Sequence, residues 1–536
     1  MKRRSILKLL LATTVIPMLP SMAAAQDEKV LRVAMTVADV PMTTGQPNQG
    51  YDGRIFIGTT LYDALVNWDL TSDTEAATLV PGLAESWTVD EADPTKWTFR
   101  LRQGVKFHDG SDFDAAAVVF NMDKLINKDS PQFDQAQATQ AAGQTARIAG
   151  YRAIDSQTVE ITTRKPDATL LYQLVEIWMS SPARWEEMDR DWSKVAPSAS
   201  GTGPWMLDKL VPRERAELVR NPTYWNPDRI AKSDRMVLYC MPDATTRVAA
   251  LLSGQVDFVE APPTDALGQI EASGMQVFTN RYPHVWPHQL SVLEDSPFAD
   301  IRIRKAANLA IDREGISQFL GGTAIPAKGM VTDNHPWFGT PSFELRYDPE
   351  AAKALLAVAG YGPENPVKAK FIVSASGSGM MQPLPMNEYI QQNLRDVGIE
   401  VELDVLERET LRSRRRAGAD APENAGAHSV NNSWGFYDPN IALLDVFSST
   451  SRPPAGYNWG AYAIPEIDTL IEKARVEFDS AAQDALLAEI HAKVVDEALW
   501  IWVVHDLNPR ALGANVRGFV QAQSWFQDLT QVYVER

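Results

Sequence analysis

The 536-residue chain is too long for one hydrophobic core, and two or three domains are expected. An apolar share of 45% is ordinary for a soluble globular protein, so folding needs no help from metals or disulfides. The net charge of −18 excludes a nucleic-acid binder, because gripping phosphates takes a basic surface; the surplus of acid reads first as solubility.

The chain opens on a targeting segment. Lys2, Arg3 and Arg4 precede the apolar stretch Ile6 to Leu19, and Ala23-Ala24-Ala25 offers a cleavage site before Gln26. The apolar run is short and broken by Pro17, so it does not read as a membrane span. Arg3-Arg4-Ser5-Ile6-Leu7-Lys8 fits a twin-arginine signal, and a general secretory signal fits equally. Val30 to Val37 reads as a strand, followed by a polar loop, Ala38 to Gly53, and by the apolar segment Ile55 to Trp68.

Around Trp87 and Val89, and again through Trp97, Phe99 and Leu101, apolar and polar residues alternate as in a hairpin, with Asp93-Pro94 at the turn. Asp114 is placed to cap a helix whose Ala115, Val118, Val119, Met122 and Leu125 form one stripe. Ser130 to Gly143 is Gln/Ala-rich and reads as a solvated helix or loop. Ala153 to Thr163 alternates again, and Leu170 to Met179 is an expected apolar helix. Ser200-Gly201-Thr202-Gly203-Pro204-Trp205 is a sharp turn; with no Gly-Lys-Ser/Thr it is not a phosphate loop.

Ala244 to Ser253 reads as a helix, Gln255 to Val259 as a short strand, and Arg281 to Leu290 as a crossing into a further domain. Four helices follow from their stripes: Ile303/Ala306/Ala307/Ala310, the Pro349 helix ending before Gly360, Ile467/Leu470/Ile471/Ala474, and Leu486/Leu487/Ile490/Val494. Arg412 to Ala427 carries four arginines and reads as a solvated loop.

No pattern for catalysis stands out. There is no His-Glu-x-x-His and no Cys-x-x-Cys, and Ser376 and Ser378 lack the strand–turn–helix setting of a nucleophile elbow. His284 and His288 are four apart, but Pro283 and Pro287 interrupt the segment, so a shared helix face for a metal is not expected. Cys240 is the only cysteine and makes no internal disulfide.

The wording of several segments is more specific than their periodicity. LVPGLAESWTVDEADPTKWTFRLRQGVKFHDGSDFDAAAVVFNMDKL, IFIGTTLYDALVNW, the Gly-Thr-Gly-Pro turn, Asn221-Pro222-Thr223-Tyr224-Trp225, DPEAAKALLAVAGY and GYNWGAYAIPEIDTLIEKAR resemble, in the same order, the family 5 extracytoplasmic solute-binding proteins of ABC importers. The resemblance implies an α/β fold of the periplasmic-binding-protein type (type II, cluster C): two lobes with an extra domain, three domains in all. After a signal at residues 1–25, it implies a discontinuous first domain (26–66, 191–281, 503–536), a second at 67–190 and a third at 282–502. A solute would be held in the cleft between the first and third and closed over by a hinge.

The resemblance further implies a binding protein and not an enzyme. It would work without cofactor or metal, as a monomer whose partners are a small solute and the permease of an importer at the inner membrane. With no cysteine near the cleavage site to carry a lipid, a freely diffusing periplasmic protein is expected. The candidate ligand-binding residues on this basis are Trp434, Gly435, Tyr437, Asp438, Trp286, His288, Asn48 and Trp459.

One departure bears on the ligand. Aligned on Asp438-Pro439, Gly435 stands where peptide-binding relatives carry an aspartate for the ligand's α-ammonium, and the turn Ser374 to Gln382 has no arginine for a carboxylate. Larger solutes, or solutes with uncharged ends, are therefore expected: longer peptides, opines or oligosaccharides. A nickel or metal-chelate receptor is the alternative, and an exported enzyme or chaperone a more distant one.

Overall fold

A computed structural model describes residues 28–375, 380–454 and 456–535. The export signal at residues 1–25, its cleavage site, Ser376 and Ser378 lie outside the described residues. The chain builds three main sheets, each with its own core.

The first is seven-stranded, in the order Gln276–Phe278, Arg510–Leu512, Phe258–Glu260, Val30–Met35, Arg235–Cys240, Arg215–Arg220 and Trp205–Val211. Its central strand, Val30–Met35, runs parallel to both neighbours. Leu31, Val33 and Met35 enter one core and Ala34 the opposite one, the period-two pattern of a strand covered on both faces.

The second sheet is antiparallel, in the order Ala84–Val89, Lys96–Leu101, Thr158–Thr163, Ile148–Asp155. Phe99, Leu101, Val159 and Ile161 pack under the helix Ala115–Ile126, whose Ala117 N–H donates to the Asp114 carboxylate at 3.0 Å. The Gln/Ala-rich stretch contains the short helices Gln135–Gln140 and Ala142–Thr145. The expected helix at Leu170–Met179 ends early, at Leu174.

Three segments bind this unit to the first sheet through one buried carboxylate. Asp63 accepts from Tyr224 Oη at 2.8 Å, Trp225 Nε1 at 2.8 Å and Thr202 Oγ1 at 3.0 Å. The Gly-Thr-Gly-Pro turn needs its glycines for the same close approach. A Cβ on Gly203 would stand 2.4 Å from the Thr60 carbonyl, and the Gly203 N–H donates to the Leu61 carbonyl at 3.0 Å.

The third sheet is again seven-stranded, with Ala324–Pro326, Trp500–Asp506, His284–Leu290, Ser429–Asn431, Val367–Ser374 and Ile399–Leu406 in order and Trp434–Gly435 paired beside His284–Leu290. His284–Leu290 is buried at every residue, Trp286 and Leu290 facing one core and Val285 the other. The helices Ile301–Ala310 and Pro349–Val358 cover the first of these faces; Pro465–Arg475 and Ser480–Asp496 cover the second.

Two sequence expectations change here. A boundary after Trp502 would cut the strand Trp500–Asp506, all of which lies in the third sheet; the return crossing is at residues 507–509. The arginine-rich stretch is not simply a loop: Arg408–Ala417 is a helix, capped by the Glu407 carboxylate and anchored by buried Leu411. Arginine is a good helix former, and Leu411 packs this helix against Ile372 and Val430 of the sheet.

Candidate functional site

The two large sheets turn the same kind of edge toward each other. Parallel strands of the first sheet end at Met35, Cys240 and Glu260, and those of the third at Ser374, Leu406 and Asn431. In open parallel sheets ligands bind in the crevice outside the carboxyl ends of the strands. Here the loops leaving those ends meet: Gln382 Nε2 donates to Thr264 Oγ1 at 3.3 Å. The chain crosses between the sheets twice, and the crossings are tied by the Asn280 N–H on the Leu507 carbonyl at 3.1 Å.

At the centre of the interface is an aromatic and hydroxyl cluster. Tyr51 follows the loop after the first strand and stacks on Trp525, with ring centroids 3.6 Å apart. Its hydroxyl donates to that of Tyr437 at 3.1 Å. Arg54 reaches the same Tyr437 oxygen at 3.4 Å and the Glu176 carboxylate of the middle unit at 3.2 Å. Burial opposes the Arg54 charge, but Glu176 and the two phenols outweigh it and raise its pKa. Burial pushes the Tyr51 hydroxyl up to about 12, so it stays a neutral donor.

The sequence candidates divide. Gly435 and Tyr437 stand at this interface. A Cβ on Gly435 would come within 3.1 Å of Trp525 Nε1 and 3.2 Å of the Tyr437 ring, so an acidic side chain here would have to press these rings aside. Asp438 turns toward the middle unit, accepting from Gln173 Nε2 at 2.7 Å and the Asn440 N–H at 2.8 Å; burial lifts its pKa to about 6. Asn48 is half-buried and closes its own loop by accepting from the Met42 N–H at 2.8 Å.

The other four lie inside the third unit. Trp286 and His288 are fully buried along His284–Leu290; burial lowers the His288 pKa to about 3, and its Nδ1 lies 3.2 Å from Ser429 Oγ. Trp459 packs with Ile372, Leu411 and Val430. Trp434 is 7% exposed; its indole N–H donates to the Ile441 carbonyl at 2.6 Å and its ring meets Trp500 edge-on. Large aromatic surfaces on a strand covered on both sides are taken up by the core. Tyr51, Arg54, Glu176 and Trp525 are the interface residues that periodicity missed.

A cavity of about 1020 Å³ adjoins the cluster and shares Tyr437 with it. Trp68, Trp87 and Tyr172 wall it from the middle unit, and Trp337, Phe436 and Phe478 from the third. The Trp337 indole N–H donates to Asp484 Oδ1 at 2.7 Å. No group of three His, Cys, Asp or Glu side chains that could hold a metal ion exists among the described residues, and no described helix is long and apolar enough to cross a membrane.

Comparison with known proteins agrees with this architecture. Residues 78–455 match the family model for bacterial extracellular solute-binding proteins, family 5. The chain is 28% identical over 452 residues to the glutathione-binding protein GsiB of Shigella boydii serotype 4, covering 82% of each chain. It is 27% identical over 461 residues to heme-binding protein A of Haemophilus influenzae, again covering 82% of each. The solved structure of HbpA2 from Haemophilus parasuis superposes with a TM-score of 0.81 at 21% identity, over 95% of this chain and all of that one.

Proposed function

The chain belongs to the family 5 bacterial extracellular solute-binding proteins, and on that footing we propose that it captures a polar organic solute between its two large sheets and presents it to the permease of an ABC importer. The observation that carries this reading is the facing of the strand carboxyl ends, bridged by Tyr51–Tyr437 and Gln382–Thr264. Only two short crossings join the sheets, the construction expected where lobes open and close about a hinge. Such lobes would correspond to residues 26–66, 191–281 and the tail on one side and the segment beginning at 282 on the other, with 67–190 attached to the first.

The cavity beside Tyr437 supports a solute larger than a dipeptide, with aromatic walls for rings or apolar side chains. An oligopeptide-like compound fits best, and the glutathione specificity given for GsiB lies within that class. A metal chelate is the alternative; it would be gripped by its organic shell, because the described residues bring no set of metal ligands together. Export through the signal at residues 1–25, release without a lipid and a monomeric state complete the reading.

A thermal-shift screen over peptides, opines, oligosaccharides and chelates tests it. One chemical class should raise the melting temperature and, at the same concentration, reduce the radius of gyration in solution scattering. Stabilisation without compaction would contradict capture by closure.

A further inference from the structure

The cavity of about 1020 Å³ beside Tyr437 lies where the middle and third units meet. Their rings close on each other across it. Trp97 lies 5.7 Å from Phe478 between centroids, Tyr172 meets Trp337 edge-on at 6.4 Å, and Trp68 is 6.0 Å from Tyr172. Two polar ties hold the same seam. The Ala168 N–H donates to the Arg475 carbonyl at 2.7 Å, and Arg147 Nη2 donates to both Asp445 oxygens, at 2.8 and 2.9 Å. Sites for whole small molecules are about 300–1,000 Å³, so this one stands at the upper end.

The walls are aromatic and the charge on them is negative. Glu75, Glu477 and Asp484 line the cavity against a single guanidinium, that of Arg281. Arg281 is already engaged, with Asp333 Oδ1 at 2.7 Å and Asn334 Oδ1 at 2.6 Å. His335 brings no charge, because burial lowers its pKa to about 3 and its Nδ1 accepts the Trp337 backbone N–H at 3.2 Å. Glu75 is exposed, and Glu477 accepts the Asp479 N–H at 2.9 Å. Asp484 differs from both. It lies half-buried on the helix Ser480–Asp496, accepts the Trp337 indole N–H at 2.7 Å and makes no ion pair among the described residues. Burial raises its pKa, and that indole alone acts against the rise. A carboxylate drawn out of water without a cation is costly. Tryptophan faces attract cations through their ring quadrupole, the more strongly where water is excluded. Both features select a positive charge.

Taking the chain as a solute receptor, we propose that this cavity receives a cationic group of the solute, with Asp484 as its counter-ion and Trp68, Tyr172 and Trp337 as its walls. The solute is then an organic cation, or a larger compound with a positively charged arm. Its charge is met at Asp484, and not at the Gly435 wall, where no carboxylate stands. Because the walls come from both units, a seated cation also draws the middle unit onto the third and favours the closed arrangement.

The test uses isosteric pairs that differ in charge, on purified protein dialysed free of carried solute. The pairs are choline with 3,3-dimethylbutan-1-ol, and the N-acetyl amides of arginine and citrulline; hippurate serves as an anion. Calorimetry should find a cation bound about tenfold or more tightly than its neutral partner, with affinity falling as salt rises. Asp484→Asn keeps an oxygen for the Trp337 indole and removes only the charge. It should weaken cation binding about tenfold or more, and Asp484→Glu should retain part of the affinity. The unliganded Asp484→Asn protein should melt no lower than the parent, which separates a binding role from a folding one. Binding of choline alone, or of the arginine amide alone, sustains the proposal and narrows the cation to an ammonium or a guanidinium. Neutral partners that bind as well, hippurate bound in preference, or cation affinity that survives Asp484→Asn would overturn it. If no probe binds, the compound released on denaturing natively purified protein decides. A cation that the Asp484→Asn protein fails to carry sustains the proposal. A neutral or acidic compound, or a cation that the variant still carries, overturns it, and none at all overturns the receptor reading beneath it.

Discussion

Tyr51, in the short helix after the first strand, and Tyr437, just past the strand Trp434–Gly435 of the third sheet, lie 386 residues apart in sequence and 3.1 Å apart at their hydroxyls. On the proposed hinge, opening the crevice would break this bond, which makes it a latch on the closed arrangement. Tyr51→Phe removes it while keeping the ring stacked on Trp525. A neutral hydrogen bond contributes about 1 kcal/mol, so solute affinity should fall about fivefold. Calorimetry should show that loss, and scattering of the unliganded variant a larger radius of gyration.

Asp63 is the joint between the middle unit and the first sheet. Three donors converge on it, those of Tyr224 and Thr202 buried and that of Trp225 partly so, and Asp63→Ala would leave all of them without this acceptor. At about 1–3 kcal/mol for each unsatisfied group, the loss should exceed about 3 kcal/mol and lower the melting temperature by several degrees. Calorimetric scanning checks it; a variant as stable as the parent would show that the joint is held elsewhere.

Stability should fall as pH drops from 7 to 5. Burial holds the pKa of His108 and His491 near 4 and those of His284, His288, His335 and His505 near 3. A histidine depressed in the folded state binds fewer protons than in the unfolded chain. Its stabilisation is complete above pH 6.5 and is lost progressively as pH falls toward the folded value. Asp52, Asp438 and Asp506, raised by burial to about 6, act with the opposite sign, gaining stability as pH falls from about 6 to 4. Six histidines with larger displacements outweigh three carboxylates. Melting temperatures at pH 7, 6 and 5 check the sign.

Trp434→Ala should unfold the protein early. The indole is packed against Trp500 and its N–H is bonded to Ile441, so the substitution opens a cavity and should cost about 3–5 kcal/mol. Tyr457→Ala removes a ring that is 40% exposed and should leave the unliganded melting temperature nearly unchanged. Chemical denaturation of the two variants separates core from crevice on adjacent side chains.

Much of the scaffold was legible because it depends on local signals. The four helices of the third unit follow from their apolar stripes and their aspartate or proline starts, and the middle sheet from the alternation through Trp97, Phe99 and Leu101. Three motifs that resemblance singled out, around Asp63, Thr202 and Tyr224-Trp225, turn out to be partners in one hydrogen-bonded joint. The crevice was less legible, because Tyr51, Glu176, Tyr437 and Trp525 come from four distant segments that no pattern links. Tryptophans misled for a related reason. Trp286 sits on a strand covered from both sides and Trp434 is packed into the same unit against Trp500, and nothing local distinguishes such positions from a cleft wall.

Capture of a solute is tested most directly by native mass spectrometry of the exported protein, purified without denaturation. One organic molecule per chain should travel with it, leave on unfolding and rebind to the refolded protein. Protein that carries no added mass under any growth condition, and that gains none from an extract of the same cells, would contradict the account.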